Sequence, residues 1–132
     1  MNLPKISILI PTYNRANFLE HALNSITGQI EKDVECVIFD NASNDNTEEI
    51  VQKFQSKYPY IRYYKNDSNV GPDQNLVNCI EHAQGEYVWC FGDDDRMQNG
   101  AISSVLNVIE TNKDLALIYV NYSAFDKEFK KK

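Results

Sequence analysis

Three carboxylates stand side by side at Asp93, Asp94 and Asp95. Adjacent like charges repel, so such a run persists where solvent or a cation offsets the repulsion. On an exposed loop, solvation is the ordinary explanation. The preceding residues favour a cation. Tyr87-Val88-Trp89-Cys90-Phe91 is a β-type apolar run, and only Gly92 separates it from the acids. Carboxylates at a strand end are hard oxygen ligands suited to Mg²⁺ or Mn²⁺. Mg²⁺ binds through one or two carboxylates plus substrate phosphates. A calcium loop does not fit, because Met97 falls where the next ligand should stand. Gly92 allows a tight backbone turn into the run.

Asp40 is a second candidate. It closes the apolar run 34–39, and a carboxylate there can accept hydrogen bonds from a base or a ribose. The alternative is that residues 40–45 form only a turn and a helix cap, where Asx residues are favoured. Capping is the better reading for Asn44 and Asp45. His21 and His82 have no second histidine at ligand spacing, which argues against zinc. Ser43, Ser103 and Ser104 lie in no GxSxG elbow. Tyr58, Tyr60, Tyr63 and Tyr64 read as strand and core-edge residues. No GxGxxG appears, which disfavours a dinucleotide oxidoreductase. A receiver-type domain needs acids after its first strand, where this chain has Pro11-Thr12-Tyr13. A sugar nucleotidyltransferase needs a Gly-rich first loop with a following Arg and Lys, and none is present.

These residues need elements to position them, and the chain alternates short apolar runs with helical patterns. Strands are expected over residues 6–10, 34–39, 61–64, 87–91 and 115–120. A first helix is expected with Asn17 as N-cap, Glu20 at the capping-box position and Gly28 as its stop. Asp45, supported by Glu48, should cap the second helix, whose buried stripe is Ile50, Val51 and Phe54. Pro72 suits the first turn of the third. Leu76, Val77, Ile80 and Ala83 should form that helix's apolar face, with Gly85 ending it. A fourth helix is expected over residues 101–110. The resulting order β-α-β-α-β-α-β-α-β implies an α/β domain with a mainly parallel sheet and helices on both faces. Ligands bind such sheets beyond the carboxyl ends of the strands. Residues 11–15, Asp40-Asn41 and Asp93-Asp94-Asp95 all fall there.

The 132 residues suffice for one domain with a hydrophobic core. Thirteen basic against nineteen acidic residues give a net charge of −6. That balance argues against nucleic acid as a partner. A bound metal can still bring a phosphorylated ligand to an acidic protein. Cys36, Cys79 and Cys90 form no CxxC pair and read as buried free thiols of a reducing compartment. No signal peptide or membrane span is evident, so a cytoplasmic location is expected.

Ile8-Leu9-Ile10-Pro11-Thr12-Tyr13-Asn14-Arg15 resembles the opening strand of family 2 glycosyltransferases, which have the GT-A fold. Phe39-Asp40-Asn41-Ala42-Ser43-Asn44-Asp45 is similar to that family's acidic nucleotide-binding loop, and Gly92-Asp93-Asp94-Asp95 to its DxD-type metal motif. The resemblance covers essentially the whole chain, with the motifs in the family's order. Asn69-Val70-Gly71-Pro72-Asp73 and Gly85-Glu86-Tyr87-Val88-Trp89 look like the branch containing O-antigen and abequosyltransferase-like enzymes.

The resemblance implies an inverting, metal-dependent transfer of sugar from a nucleoside-diphosphate sugar to a glycan or lipid-linked acceptor. It places Pro11, Thr12, Tyr13 and Arg15 around the nucleotide, with Thr12 and Tyr13 near the base. Asp40, beside Asn41, would contact the base and Asp93 the ribose. Asp94 would ligate Mg²⁺ or Mn²⁺, with Asp95 as a further metal-site acid. Three departures stand out. Asn41 replaces the family's second acid, Gly92 replaces the first acid of the usual DxD, and no Arg follows the third strand. No general base is evident after Asp95. The expectation is therefore a single donor-binding domain over residues 1–132, ending before the acceptor and base segment and weakly active or inactive alone. The competing expectation is a non-catalytic nucleotide-sugar-binding or assembly module. The Lys-rich end at residues 129–132 is a candidate peripheral membrane contact.

Overall fold

The central strands are buried along nearly their whole length, as a sheet sandwiched between helices requires. β1 (Ile6–Thr12) and β2 (Val34–Asp40) run parallel, with Ile6 opposite Val34 and Thr12 opposite Asp40. β3 (Ile61–Lys65) flanks β2, and β4 (Tyr87–Cys90) flanks β1. Both pairings are parallel, giving the order β3-β2-β1-β4. The structure is a computed structural model and describes residues 3–30, 32–126, 128 and 130. Residues 129, 131 and 132 of the Lys-rich end, the candidate membrane contact, lie outside the described residues.

Four helices alternate with the strands: α1 (Ala16–Thr27), α2 (Thr47–Gln55), α3 (Pro72–His82) and α4 (Ala101–Thr111). Alternation along β1 separates two faces. Ile6, Ile8 and Ile10 pack in one core with Leu19, Leu23 and Ile26 of α1, Ile50, Val51 and Phe54 of α2, and Ile102, Leu106 and Ile109 of α4. Leu9, Val37 and Phe39 face the other way and meet Cys79 of α3. Right-handed crossovers explain this division. The chain steps from β1 to β2 to β3 in one direction, then returns past both to β4, so α3 lands on the opposite face.

A buried polar cluster sits at the start of the strands, away from the acids. Glu35 pairs with Arg62 at 2.9 Å. It also accepts bonds from the Ser7 hydroxyl at 2.6 Å and the Gln84 N–H at 2.7 Å. The Gly85 N–H donates to Ser7 Oγ at 2.8 Å. A Cβ on Gly85 would lie 2.6 Å from the Ser7 backbone nitrogen. Gly85 therefore serves close approach of the α3–β4 turn to β1. It does not terminate α3, which ends at His82.

Four other expectations are corrected. Residues 115–120 are not a strand, although Leu115 O accepts a bond from the Tyr87 hydroxyl. Leu117 and Tyr119 are 83% and 80% exposed. An apolar run alone makes no strand, and among the described residues no strand pairs with this segment. The buried residues of α3 are Asn75 and Cys79, while Val77 and Ile80 are exposed. Asn75 turns the helix this way by donating to Phe39 O at 2.9 Å. Asn17 lies inside α1, whose first N–H group is capped from another loop. Cys90 is exposed on the edge strand, while Cys36 and Cys79 are buried.

Among the described residues, no helix is long and apolar enough to cross a membrane.

Candidate functional site

In an open parallel sheet, the crevice forms where neighbouring strands send their connections in opposite directions. Here that point lies between β1, which leads to β2 on one side, and β4, on the other. The carboxyl ends of these two strands carry Thr12 and Asp93. The Thr12 hydroxyl donates to Asp93 Oδ2 at 2.8 Å. Arg15, just before α1, donates through Nη1 to Asp93 Oδ1 at 3.0 Å and to Asp94 Oδ2 at 3.1 Å. One guanidinium nitrogen is thus bracketed by two carboxylates. Burial pushes the Asp93 carboxyl above its ordinary range, against the opposing pull of Thr12 and Arg15. The Asp93 charge in turn raises the Arg15 guanidinium.

The third acid behaves differently. Asp95 Oδ2 folds back to accept the Gly92 N–H at 3.2 Å. A Cβ on Gly92 would lie 2.8 Å from that oxygen and 3.1 Å from Asp94 Oδ1. Gly92 therefore gives the carboxylates room against the backbone. Beyond the acids the chain is fastened to α1: the Met97 N–H donates to Ser25 Oγ at 2.9 Å and the Gly100 N–H to Gln29 Oε1 at 2.9 Å. Met97 itself enters the core. The acidic loop thus hangs between β4 and a helix that begins beside Arg15.

The loops after β1 and β2 are zipped together. The Asn14 N–H donates to Ser43 Oγ at 2.8 Å, and the Asn44 N–H to Asn14 Oδ1 at 2.9 Å. Asn14 and Ala42 hold φ values of 53° and 63°, which these bonds must maintain. Asp45 joins two helices. Its Oδ2 accepts the Ala16 N–H of α1 at 3.1 Å, and its Oδ1 accepts the Thr47 N–H and hydroxyl of α2 at 3.1 and 2.6 Å. Burial pushes this carboxyl up, but the Thr47 and Ala16 donors outweigh it and hold it below the ordinary value.

Asp40 is fully buried. Its oxygens accept the Ser43 N–H at 2.8 Å and the Tyr63 hydroxyl at 2.7 Å. Burial, then the bond to Asp40, raises the Tyr63 phenol well above its usual value. Both carboxylate oxygens are therefore engaged in shaping the loop. Asn41 is a hub. Its Oδ1 accepts the Asn66 amide at 3.0 Å and the Val70 N–H at 2.9 Å. Its Nδ2 donates to Asn69 Oδ1 at 2.9 Å and Gly71 O at 3.2 Å. All four hydrogen-bonding positions of the amide are filled. The backbone partners fix its orientation, because Val70 offers only a donor and Gly71 only an acceptor at these points.

Thr12, Arg15, Asp93 and Asp94 are thus brought together. Tyr13 is 43% exposed beside them, and Pro11 is partly exposed. Asp40 and Asn41 lie at the adjacent strand end, joined to β1 by the Asn41 N–H to Thr12 O bond at 2.9 Å. Asp95 is not drawn to the shared nitrogen. Ser25, Gln29, Asn66, Asn69 and Tyr63 were missed as site-shaping residues. For Asn66 and Asn69 the advance signal was the density of asparagine over residues 66–78; Ser25, Gln29 and Tyr63 carried none.

Among the described residues, no three His, Cys, Asp or Glu side chains gather around one point. A closed protein cage for a metal is therefore not formed. Two convergent carboxylate oxygens do suit a Mg²⁺-type ion completed by water and phosphate.

The family model described as Glycosyl transferase family 2 matches residues 7–132. Abequosyltransferase RfbV of Salmonella typhimurium is 39% identical over 115 residues, covering 85% of this chain and 34% of that protein. The chain thus spans about a third of that relative's length. Staphylococcus aureus TarS 1–349, solved with UDP-GlcNAc, shares the fold with a TM-score of 0.76 and 25% identity, over 93% of this chain and 38% of that one. The mannosyltransferase PcManGT of Pyrobaculum calidifontis, solved with GDP-Man and Mn²⁺, superposes with a TM-score of 0.72 at 24% identity. That match covers 80% of this chain and 32% of that one. The sheet and its helices have the GT-A architecture of these enzymes.

Proposed function

The chain belongs to glycosyl transferase family 2, and from that premise we propose that it forms the donor side of an inverting, metal-dependent glycosyltransferase. The donor is a nucleoside-diphosphate sugar and the acceptor a hydroxyl of a glycan or lipid-linked glycan. The observation that carries this reading is the convergence of Asp93 and Asp94 on one cationic nitrogen at the β1–β4 crevice. Support also comes from TarS, solved with UDP-GlcNAc, and from PcManGT, solved with GDP-Man and Mn²⁺.

Asp94, half-exposed, is the proposed ligand to Mg²⁺ or Mn²⁺. When bound, the ion would neutralise charge on the departing nucleoside diphosphate. Asp93 is held from below by Thr12 and faces the ribose. Tyr13 and Pro11 flank the base. Asp40 and Asn41 act through the loops they hold, Asp40 on residues 41–45 and Asn41 on residues 66–71. Asp95 steadies the acidic turn.

Calorimetry with a panel of nucleoside diphosphates, with and without Mn²⁺, tests the reading. Binding that needs Mn²⁺ is the expected result. Absence of binding at millimolar nucleotide removes the donor-site assignment.

A further inference from the structure

The Arg15 guanidinium is paired with the two carboxylates proposed to face a divalent cation. Its Nη1 lies 3.0 Å from Asp93 Oδ1 and 3.1 Å from Asp94 Oδ2. An ion coordinated by Asp94 would compete for the same oxygen lone pairs and would stand against a positive charge. The two arms of this pairing differ. Asp93 is buried, and its second oxygen is held by Thr12. The side chains of Asp94 and Arg15 are 47% and 46% exposed. The Asp94 arm can therefore open without disturbing the core.

A freed guanidinium has somewhere to go. Its carbon already lies 5.3 Å from the Phe18 ring centroid, within cation–π range. It springs from the residue before α1, at the mouth of the crevice. A diphosphate entering with a metal would offer it oxygen pairs that match its planar fork.

We infer that Arg15 is an exchangeable counter-ion. It pairs with Asp94 while the site is empty, yields that carboxylate to the divalent ion, and transfers its charge to the diphosphate. This inference rests on the donor-site reading and adds a direction to it. Metal alone must displace Arg15 and gains nothing for it. Metal with a nucleoside diphosphate supplies Arg15 with a new partner. The two ligands therefore bind with positive coupling, and the side chain carries that coupling.

The test is an Mn²⁺ titration followed by electron paramagnetic resonance, without nucleotide and with saturating UDP, CDP or GDP. It is run on the wild-type chain, Arg15→Gln and Arg15→Lys, each checked for an unchanged thermal transition. Arg15→Gln should bind Mn²⁺ alone about two- to fivefold more tightly, the worth of an exposed ion pair. The same variant should bind the Mn²⁺–nucleotide pair about tenfold or more weakly, the worth of hydrogen bonds to a charged group. Arg15→Lys keeps the charge without the fork and should fall between, with weakened coupling. Changes of the same sign in both titrations, or no change, would overturn the exchange while leaving the donor site standing. A wild-type chain that binds no Mn²⁺–nucleotide pair would remove both.

Discussion

The Thr12 hydroxyl and the Asp93 carboxylate meet at 2.8 Å across 81 positions of sequence. The bond joins the ends of β1 and β4 and leaves Asp93 aimed at Arg15. Thr12→Val keeps the shape and removes the donor. A buried carboxylate then loses one of its partners, at a cost of about 1–3 kcal/mol. Urea denaturation should show that loss, and calorimetry should show weaker Mn²⁺–nucleotide binding in the same variant. Unchanged stability would mean that water replaces the hydroxyl without penalty.

Asn41→Asp is nearly isosteric but replaces two donors with lone pairs. The new carboxylate oxygen would face Asn69 Oδ1 and Gly71 O, both acceptors. Two bonds become repulsive contacts, and a destabilisation of about 2–3 kcal/mol is expected. Amide exchange at Val70 and Gly71 should speed up more than exchange in the β1–β2 ladder. Uniform acceleration would show that the hub has no special hold on the loop.

Asp45 serves two helices, so Asp45→Ala should cost about 1–2 kcal/mol, a capping loss. The pH dependence follows from the lowered carboxyl of the folded chain. Its contribution is complete above the ordinary value of about 3.9 and fades as pH falls through the lower folded value. The stability gap between wild type and Asp45→Asn should stay constant above about pH 5 and close in stronger acid. A gap that widens on acidification would reverse the assignment.

Gly92→Ala tests the packing of the acids against the backbone. The added methyl meets movable carboxylate ends at 2.8 and 3.1 Å rather than backbone. The fold should lose less than about 1 kcal/mol, while Mn²⁺ affinity in the presence of nucleotide falls severalfold. Equal loss of stability and affinity in denaturation and titration experiments would point instead to a local collapse of the loop.

Strand ends could be read in advance because apolar runs such as residues 36–39 stop abruptly at an acid. The α/β order and the location of the crevice followed from that punctuation. Residues 115–120 show its limit: the continuous apolar run is present, but a strand also requires a neighbour, which pattern does not encode. The partners that set Asp93, Asp94 and Asp95 apart were equally hidden. The three are identical in type, yet Thr12 fixes the first, Arg15 holds the second and the Gly92 N–H turns the third aside. Asn41 looked like a lost acid. Its value lies in partners 25 to 30 positions away, on a loop whose approach only the folded sheet defines. Asp45 was legible as the cap of α2, but its second helix, α1, lies earlier in the chain and is reached only through space.

The most direct test is anomalous scattering from crystals of the chain grown with Mn²⁺ and a nucleoside diphosphate. The expected result is one peak within coordinating distance of an Asp94 carboxylate oxygen at the β1–β4 crevice, bridged to the diphosphate. Nucleotide bound there without a peak, or a peak away from Asp94, would contradict the assignment of these acids as a metal-assisted donor site.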